Sequence, residues 1–253
     1  MSIITPDIQA TIVKIKNLPR RLNPTGLLYI GLSIFLMVSA FRQLQATLTF
    51  ADLFYLNATL TAGDSANKAV IDRYASQAEA IVSSNECRSD ILDGGLAFIL
   101  RDLDLQDSVA HYEDWATAME RADRYILHAL SCSPGDGDLW ARLAMVRQAS
   151  SENSDQLSAI LSQSSLLAPS EMYVLRARFF VWRRASAQTL ALSSETVERD
   201  IRTLLSQAYW KDISEILANP GANLKAYVLA AAKLVPPNRI AMLKLHGVDL
   251  AAL

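Results

Sequence analysis

Apolar residues along this chain follow two patterns. From Leu22 to Phe41 they run together without a charge, bracketed by Arg20 and Arg21 before and Arg42 after. Farther on they recur every third or fourth position among polar residues, which is the spacing of amphipathic helices. A helix rises about 1.5 Å per residue, so some 20 uncharged residues match the roughly 30 Å of bilayer hydrocarbon. Leu27, Leu28, Tyr29, Ile30, Leu32, Ile34, Phe35, Leu36, Met37 and Val38 leave no polar stripe, and a helix apolar all round belongs in lipid or deep in a large core. The pattern predicts a transmembrane helix over 22–42.

Charge orients that helix. Lys14, Lys16, Arg20 and Arg21 precede it against a single Asp7, whereas Arg42, Asp52 and Asp64 come after it and before Lys68. The asymmetry predicts a cytoplasmic tail over 1–21 and export of the chain beyond the helix, which in a bacterial cell means an inner-membrane protein with a periplasmic domain. A cleaved signal peptide is the rival, since Val38-Ser39-Ala40 offers compact residues at the cleavage positions. The apolar run reaches that point without a polar region and comes after a long charged segment, which favours a retained anchor. Within the tail, Thr5-Pro6-Asp7 reads as a helix start, with Ile8, Ile12 and Ile15 on one face beside Lys14 and Lys16; such a segment suits an anionic inner leaflet, with a disordered tail as the alternative.

Residues 43–65 read as a stalk or linker, in which Leu44, Leu48, Phe54 and Leu56 keep a helical rhythm until Gly63-Asp64-Ser65. Residues 66–253 form the exported domain. Val70, Tyr74, Gln77, Ala78 and Ile81 predict one helix, and Ile91, Leu92, Gly95, Leu96 and Ile99 a second. Val109, Tyr112, Ala116, Met119, Ala122, Ile126 and Leu130 predict a long third, closed by Pro134-Gly135. Ser193-Ser194-Glu195 reads as the cap of a helix through Val197, Ile201 and Leu205. Ile213 to Leu217, Leu224 to Val235 and a last turn or two after Pro236-Pro237 complete the series. Alternating β-branched runs are missing, so the fold class is all-α. A chain 51% apolar and 20% charged buries a core, and a net charge of −2 gives no reason to expect nucleic acid.

Cys87 and Cys132 both fall on the side predicted to be oxidising. Neither has a CxxC partner or an adjacent histidine, so the pair reads as a disulfide worth about 4 kcal/mol, with two buried free thiols as the alternative.

Internal periodicity then appears. Ala129-Leu130, Pro134 and Trp140 recur loosely as Ser164-Ser165, Pro169 and Leu175 at a spacing of 35 residues. Ala122, Ile126, Ala129 and Pro134 stand at spacings of 4, 3 and 5, with Trp140, Leu143 and Ala144 after them. In these residues the chain resembles the tetratricopeptide repeat family, most clearly over 122–144. Arg147, Leu157 and Ser164 depart from the family pattern. The resemblance implies stacked helical hairpins forming an α-solenoid, with small alanines letting the helices approach and Trp140 between neighbouring hairpins.

His111, His128 and His246 share no motif, and no GxSxG elbow, HExxH or glycine-rich phosphate loop is present. The expectation is a protein without catalytic residues, metal or cofactor. Asp102, Asp104, Gln106, Val109 and Glu113 match positions of a calcium loop, but Asp107 stands where the sharp turn needs glycine, so the stretch reads as a helix-to-helix turn. The resemblance also implies a concave groove for extended partner segments and maps it to Tyr173, Arg176, Phe180, Arg183 and Arg184. Guanidiniums beside aromatic rings suit carboxylate-bearing ligands. The rival assignment puts Phe179, Phe180 and Trp182 in the core and leaves the arginines solvated or ion-paired with Glu171 and Glu195.

Together these features predict a membrane-anchored periplasmic scaffold holding a protein partner of an envelope assembly, with polysaccharide assembly or export and secretion suggested by analogy alone. A ligand- or metal-sensing domain coupled to a membrane partner is the alternative. Oligomeric state is left open.

Overall fold

A computed structural model describes residues 24–61 and 67–250. The predicted tail over 1–21, the first residues of the apolar run and the Gly63-Asp64-Ser65 break lie outside the described residues. Those described form thirteen α-helices and no strand, and the chain divides into two units, residues 1–52 and residues 53–253.

In the first unit, α1 (Pro24–Thr49) has 26 residues and is therefore about 39 Å long. Over its most apolar 18 residues the mean hydropathy is 1.8, and none of the helix's residues is buried. By length and composition it can cross a membrane. Next comes α2 (Ala51–Thr61).

Within the second unit, α3 (Lys68–Ser83) packs on α4 (Ser89–Asp104), α4 on α5 (Tyr112–Cys132), and α5 on α6 (Gly137–Ser150). In turn α6 packs on both α7 (Ser154–Leu167) and α8 (Met172–Trp182). Then α9 (Ala187–Leu192) lies on α7, while α10 (Ser194–Gln207) packs on α12 (Ala222–Ala232) and α11 (Trp210–Ile216) touches α8. The last element, α13 (Pro237–Leu245), sends Arg239 Nε to the carbonyl of Leu205, 2.9 Å away near the end of α10.

Local chemistry sets the helix starts. Asp136 accepts from the amides of Asp138 and Leu139, Asn153 from Gln156, and Ser186 from Thr189, each satisfying donors that a first turn leaves open. At the predicted cap Ser193 the side chain makes no such bond, and its hydroxyl is buried without a partner. Val109 and Tyr112, expected on the long helix, are strongly exposed, and the helix begins only at Tyr112. The acidic stretch is no loop at its start: Asp102 and Asp104 finish α4, and Asp107 Oδ1 accepts from the Val109 and Ala110 amides to form the turn.

Small residues let the helices close. Ala122, Ala129, Ala141 and Ala144 are fully or almost fully buried. Gly95 of α4 marks the tightest approach, because a Cβ there would lie 2.2 Å from the Tyr125 hydroxyl, itself bonded to the Leu92 carbonyl at 2.8 Å. Trp140 is half-buried and turns back to the preceding loop, where Nε1 donates to the Pro134 carbonyl at 2.9 Å. Cys87, between α3 and α4, and Cys132, the last residue of α5, are bonded with a Cα separation of 5.4 Å.

Candidate functional site

The outer surfaces of α4, α5, α6 and α8 enclose an open groove. Its middle, about 310 Å³, is lined by Leu100 and Leu103 of α4, Trp115 and Met119 of α5, Met145 of α6 and Phe180 of α8. Leu100, Leu103, Trp115, Met145 and Phe180 are half-buried. On α4 the core is served by Ile91, Leu92, Leu96, Phe98 and Ile99, so Leu100 and Leu103 lie outside the buried stripe and open onto the groove.

Shared residues carry the groove onward in both directions. Leu100 and Arg142 belong also to a hollow of about 370 Å³ at the start of α6, with Asp93, Asp136, Asp138 and Tyr173. Trp115 and Met119 belong also to a hollow of about 420 Å³ with Tyr112, Glu120, Asp123 and Arg147.

Electrostatically the α6 end is acidic. Arg142 Nε donates to Asp138 Oδ2 at 2.6 Å, while Asp138 Oδ1 is shielded from solvent and accepts no hydrogen bond. Partial desolvation, then the charges of Asp136, Asp138 and Asp90, push the Asp93 carboxyl above its usual range. Desolvation and the same two α6 carboxylates push the Tyr173 phenol up. At the other end Arg147 Nε donates to Asp123 at 3.0 Å.

Of the residues mapped from the repeat resemblance, Tyr173 and Phe180 line the groove and the three arginines do not. Arg176 donates to Glu215 at 2.9 Å and also to Asp212, both on α11. Arg184 lies over the Phe180 ring at 3.7 Å and Arg183 at 6.0 Å. The suggested partners Glu171 and Glu195 make none of these contacts. Phe179 and Trp182 are core.

Sequence reasoning missed a fully buried ion pair. Arg178 is fully buried; its Nε and Nη2 donate to Asp200 at 2.7 and 3.0 Å, and Nη1 to the Ala168 carbonyl at 2.9 Å. Trp182 Nε1 and Ser165 Oγ also donate to Asp200, at 3.0 and 2.9 Å. The available signal was position: Arg178 stands between Val174, Leu175 and Trp182 on the apolar face of α8, and Asp200 beside Val197, Ile201 and Leu204 on α10.

Two further clusters gather groups that could act as ligands. Cys87, Cys132 and His128 place their donor atoms within 4.8 Å of one another. With the sulfurs bonded together only the imidazole has a strong lone pair to offer, and its Nε2 lies 2.9 Å from the Glu86 carbonyl. A hollow of about 290 Å³ between α3, α4 and α5 holds Lys68, Asp72, Asp102, Asp114 and Arg121. There Asp102 is buried between Arg121 at 2.8 Å and Gln106 at 2.7 Å. Burial first and the neighbouring Asp72 carboxyl second push it up, outweighing Gln106 and Arg121.

Comparison with known proteins returns no match to a protein-family model, a curated protein or a solved structure.

Proposed function

We propose that the chain is a single-span membrane protein whose helical domain lies outside the cytoplasm and works without catalysis, holding a segment of an envelope protein in the groove between α4, α5, α6 and α8. On this reading α1 sits in the bilayer and the helices from α3 to α8 stack as repeat-like hairpins, consistent with their neighbour-to-neighbour packing. The observation that carries the reading is the groove itself. Leu103, Trp115, Met145 and Phe180 stand half-open together along one concavity that crosses four helices, whereas the more exposed Leu166, Leu192, Leu234 and Leu245 lie outside its lining. The bonded cysteines support an oxidising compartment.

A photoreactive side chain placed at Leu103 or Met145 in intact cells tests the reading. It should capture one discrete protein, whereas the same group at exposed Tyr209, outside the groove lining, should not. Recovery of lipid alone, or of nothing, at both groove positions defeats it.

A further inference from the structure

We propose that the occupant of this groove is a basic amphipathic segment, carrying Lys or Arg on both sides of a large apolar side chain, and not the acidic ligand that a face of arginines would take. This inference rests on the docking reading above and specifies its chemistry.

Charge decides the sign. The three hollows are lined by six carboxylates, Asp93, Asp104, Glu120, Asp123, Asp136 and Asp138, against two guanidiniums, Arg142 and Arg147. Both guanidiniums are already bonded to carboxylates of that same set, Asp138 and Asp123. Arg124, outside the lining, holds Glu120 at 3.0 Å, and Asp136 is turned onto the amides that start α6. Asp93 and Asp104 have no ion-pair partner among the described residues, and Asp138 keeps one oxygen without a donor. The whole chain carries only −2, so the groove concentrates negative charge well beyond the average of the molecule. Arg183 and Arg184 sit on the Phe180 ring at the edge of the groove, and counting them still leaves six carboxylates against four guanidiniums.

Spacing adds geometry to the sign. Asp93, Ala97, Leu100 and Asp104 succeed one another at intervals of four, three and four on α4, which sets them on one face. The two carboxylates bracket the apolar pair and stand about 16 Å apart along the helix. A segment with two cations at that separation and a Leu, Met or Phe side chain between them meets both acids while its anchor enters the hollow of Leu103, Trp115 and Met145.

The test uses the full-length protein in phosphatidylcholine nanodiscs, with empty nanodiscs as the blank for lipid binding. The probe is a fluorescein-labelled 16-residue helical Ala/Gln peptide with Lys at positions 3 and 14 and Leu at 7 and 10, and its counterpart has Glu for both Lys. The Lys peptide should bind, weaken as salt rises and shift tryptophan emission to the blue in the parent chain but not in Trp115→Phe, since three other tryptophans also emit. Asp93→Asn with Asp104→Asn, both exposed, should weaken it roughly tenfold without altering the circular dichroism. The Glu peptide should not bind. Equal binding of the two peptides, an unchanged affinity in the double variant, or no binding of either overturns the charge assignment. The crosslinking result separates the two levels: a discrete protein captured at Leu103 by a domain that ignores the Lys peptide leaves docking standing and removes the basic segment, whereas no capture removes docking itself.

Discussion

A fully buried charge is tolerated only when every donor and acceptor around it is matched, and Asp200 meets that condition: Arg178, Trp182 and Ser165 all donate to it from α8 and α7. Asp200→Ala leaves the Arg178 guanidinium buried without its carboxylate and should cost about 3 to 5 kcal/mol in denaturant unfolding. Replacing both residues, Arg178→Met with Asp200→Leu, should cost less, because no unpaired charge is then left in the core, and the remaining loss comes from Trp182 Nε1, Ser165 Oγ and the Ala168 carbonyl, which lose their partners. The Asp102 carboxyl is a different case, since burial and Asp72 outweigh Arg121 and Gln106 and set its folded pKa above its unfolded one. Such a group contributes stability that is fully present below the usual carboxylate range and is lost as pH rises through the raised value. Asp72 and Glu79 on α3, Asp114 and Arg121 on α5, and Lys68 complete the charges around it. Asp72→Asn removes the like charge and offers an amide donor. It should therefore stabilise the fold at about pH 7 and have no effect near pH 3, with urea midpoints at the two pH values as the measurement.

At the scale of elements, close approach governs the α4–α5 pair. A Cβ on Gly95 would lie 2.2 Å from the Tyr125 oxygen, 2.7 Å from Ile81 Cδ1 and 2.9 Å from Tyr125 Cζ. Gly95→Ala therefore forces the ring off its bond to Leu92, and should destabilise by about 1 to 3 kcal/mol in a thermal melt even though alanine favours helix. Tyr125→Ala should then cost less in the Gly95→Ala background than in the parent chain, a coupling that two independent sites would not give. The same pair shows what a sequence makes legible. Ile91, Leu92, Gly95, Leu96 and Ile99 repeat at helical spacing and all are buried, because periodicity reports which face of an element turns inward. It does not report which other element that face meets. Arg176 finds Asp212 and Glu215 on α11, and Arg178 finds Asp200, 22 residues away, pairings that no local spacing encodes. Thus the repeat resemblance pointed to Tyr173 and Phe180, which line hollows here, but gave no sign of the carboxylates beside them, because Asp93, Asp104 and Asp138 lie on two other helices. The six-residue α9 escaped for the opposite reason, since so short a helix shows too little of a period to be seen.

For the whole molecule, compartment and covalent structure constrain each other. Cys87 and Cys132 are bonded, and a structural disulfide persists where thiols are not kept reduced. In the proposed topology the charge asymmetry around the apolar run places the same residues on that side of the membrane. α1, about 39 Å long with no buried residue, exceeds what the hydrocarbon thickness requires and can tilt to match it. A helix this apolar should stay in the membrane pellet after alkaline carbonate, and protease added to spheroplasts should digest the domain from α3 onward. The rival is cleavage after Ala40, which removes most of α1 and releases the rest. Intact-mass measurement separates the two: an anchored chain keeps its N-terminal segment, whereas a cleaved one begins near Phe41 and appears in the carbonate wash. Loss of the segment, or a domain untouched by protease until the spheroplasts are broken, would refute the assigned topology. Because the groove's proposed partner belongs to the envelope, that refutation would remove the compartment in which the partner is sought.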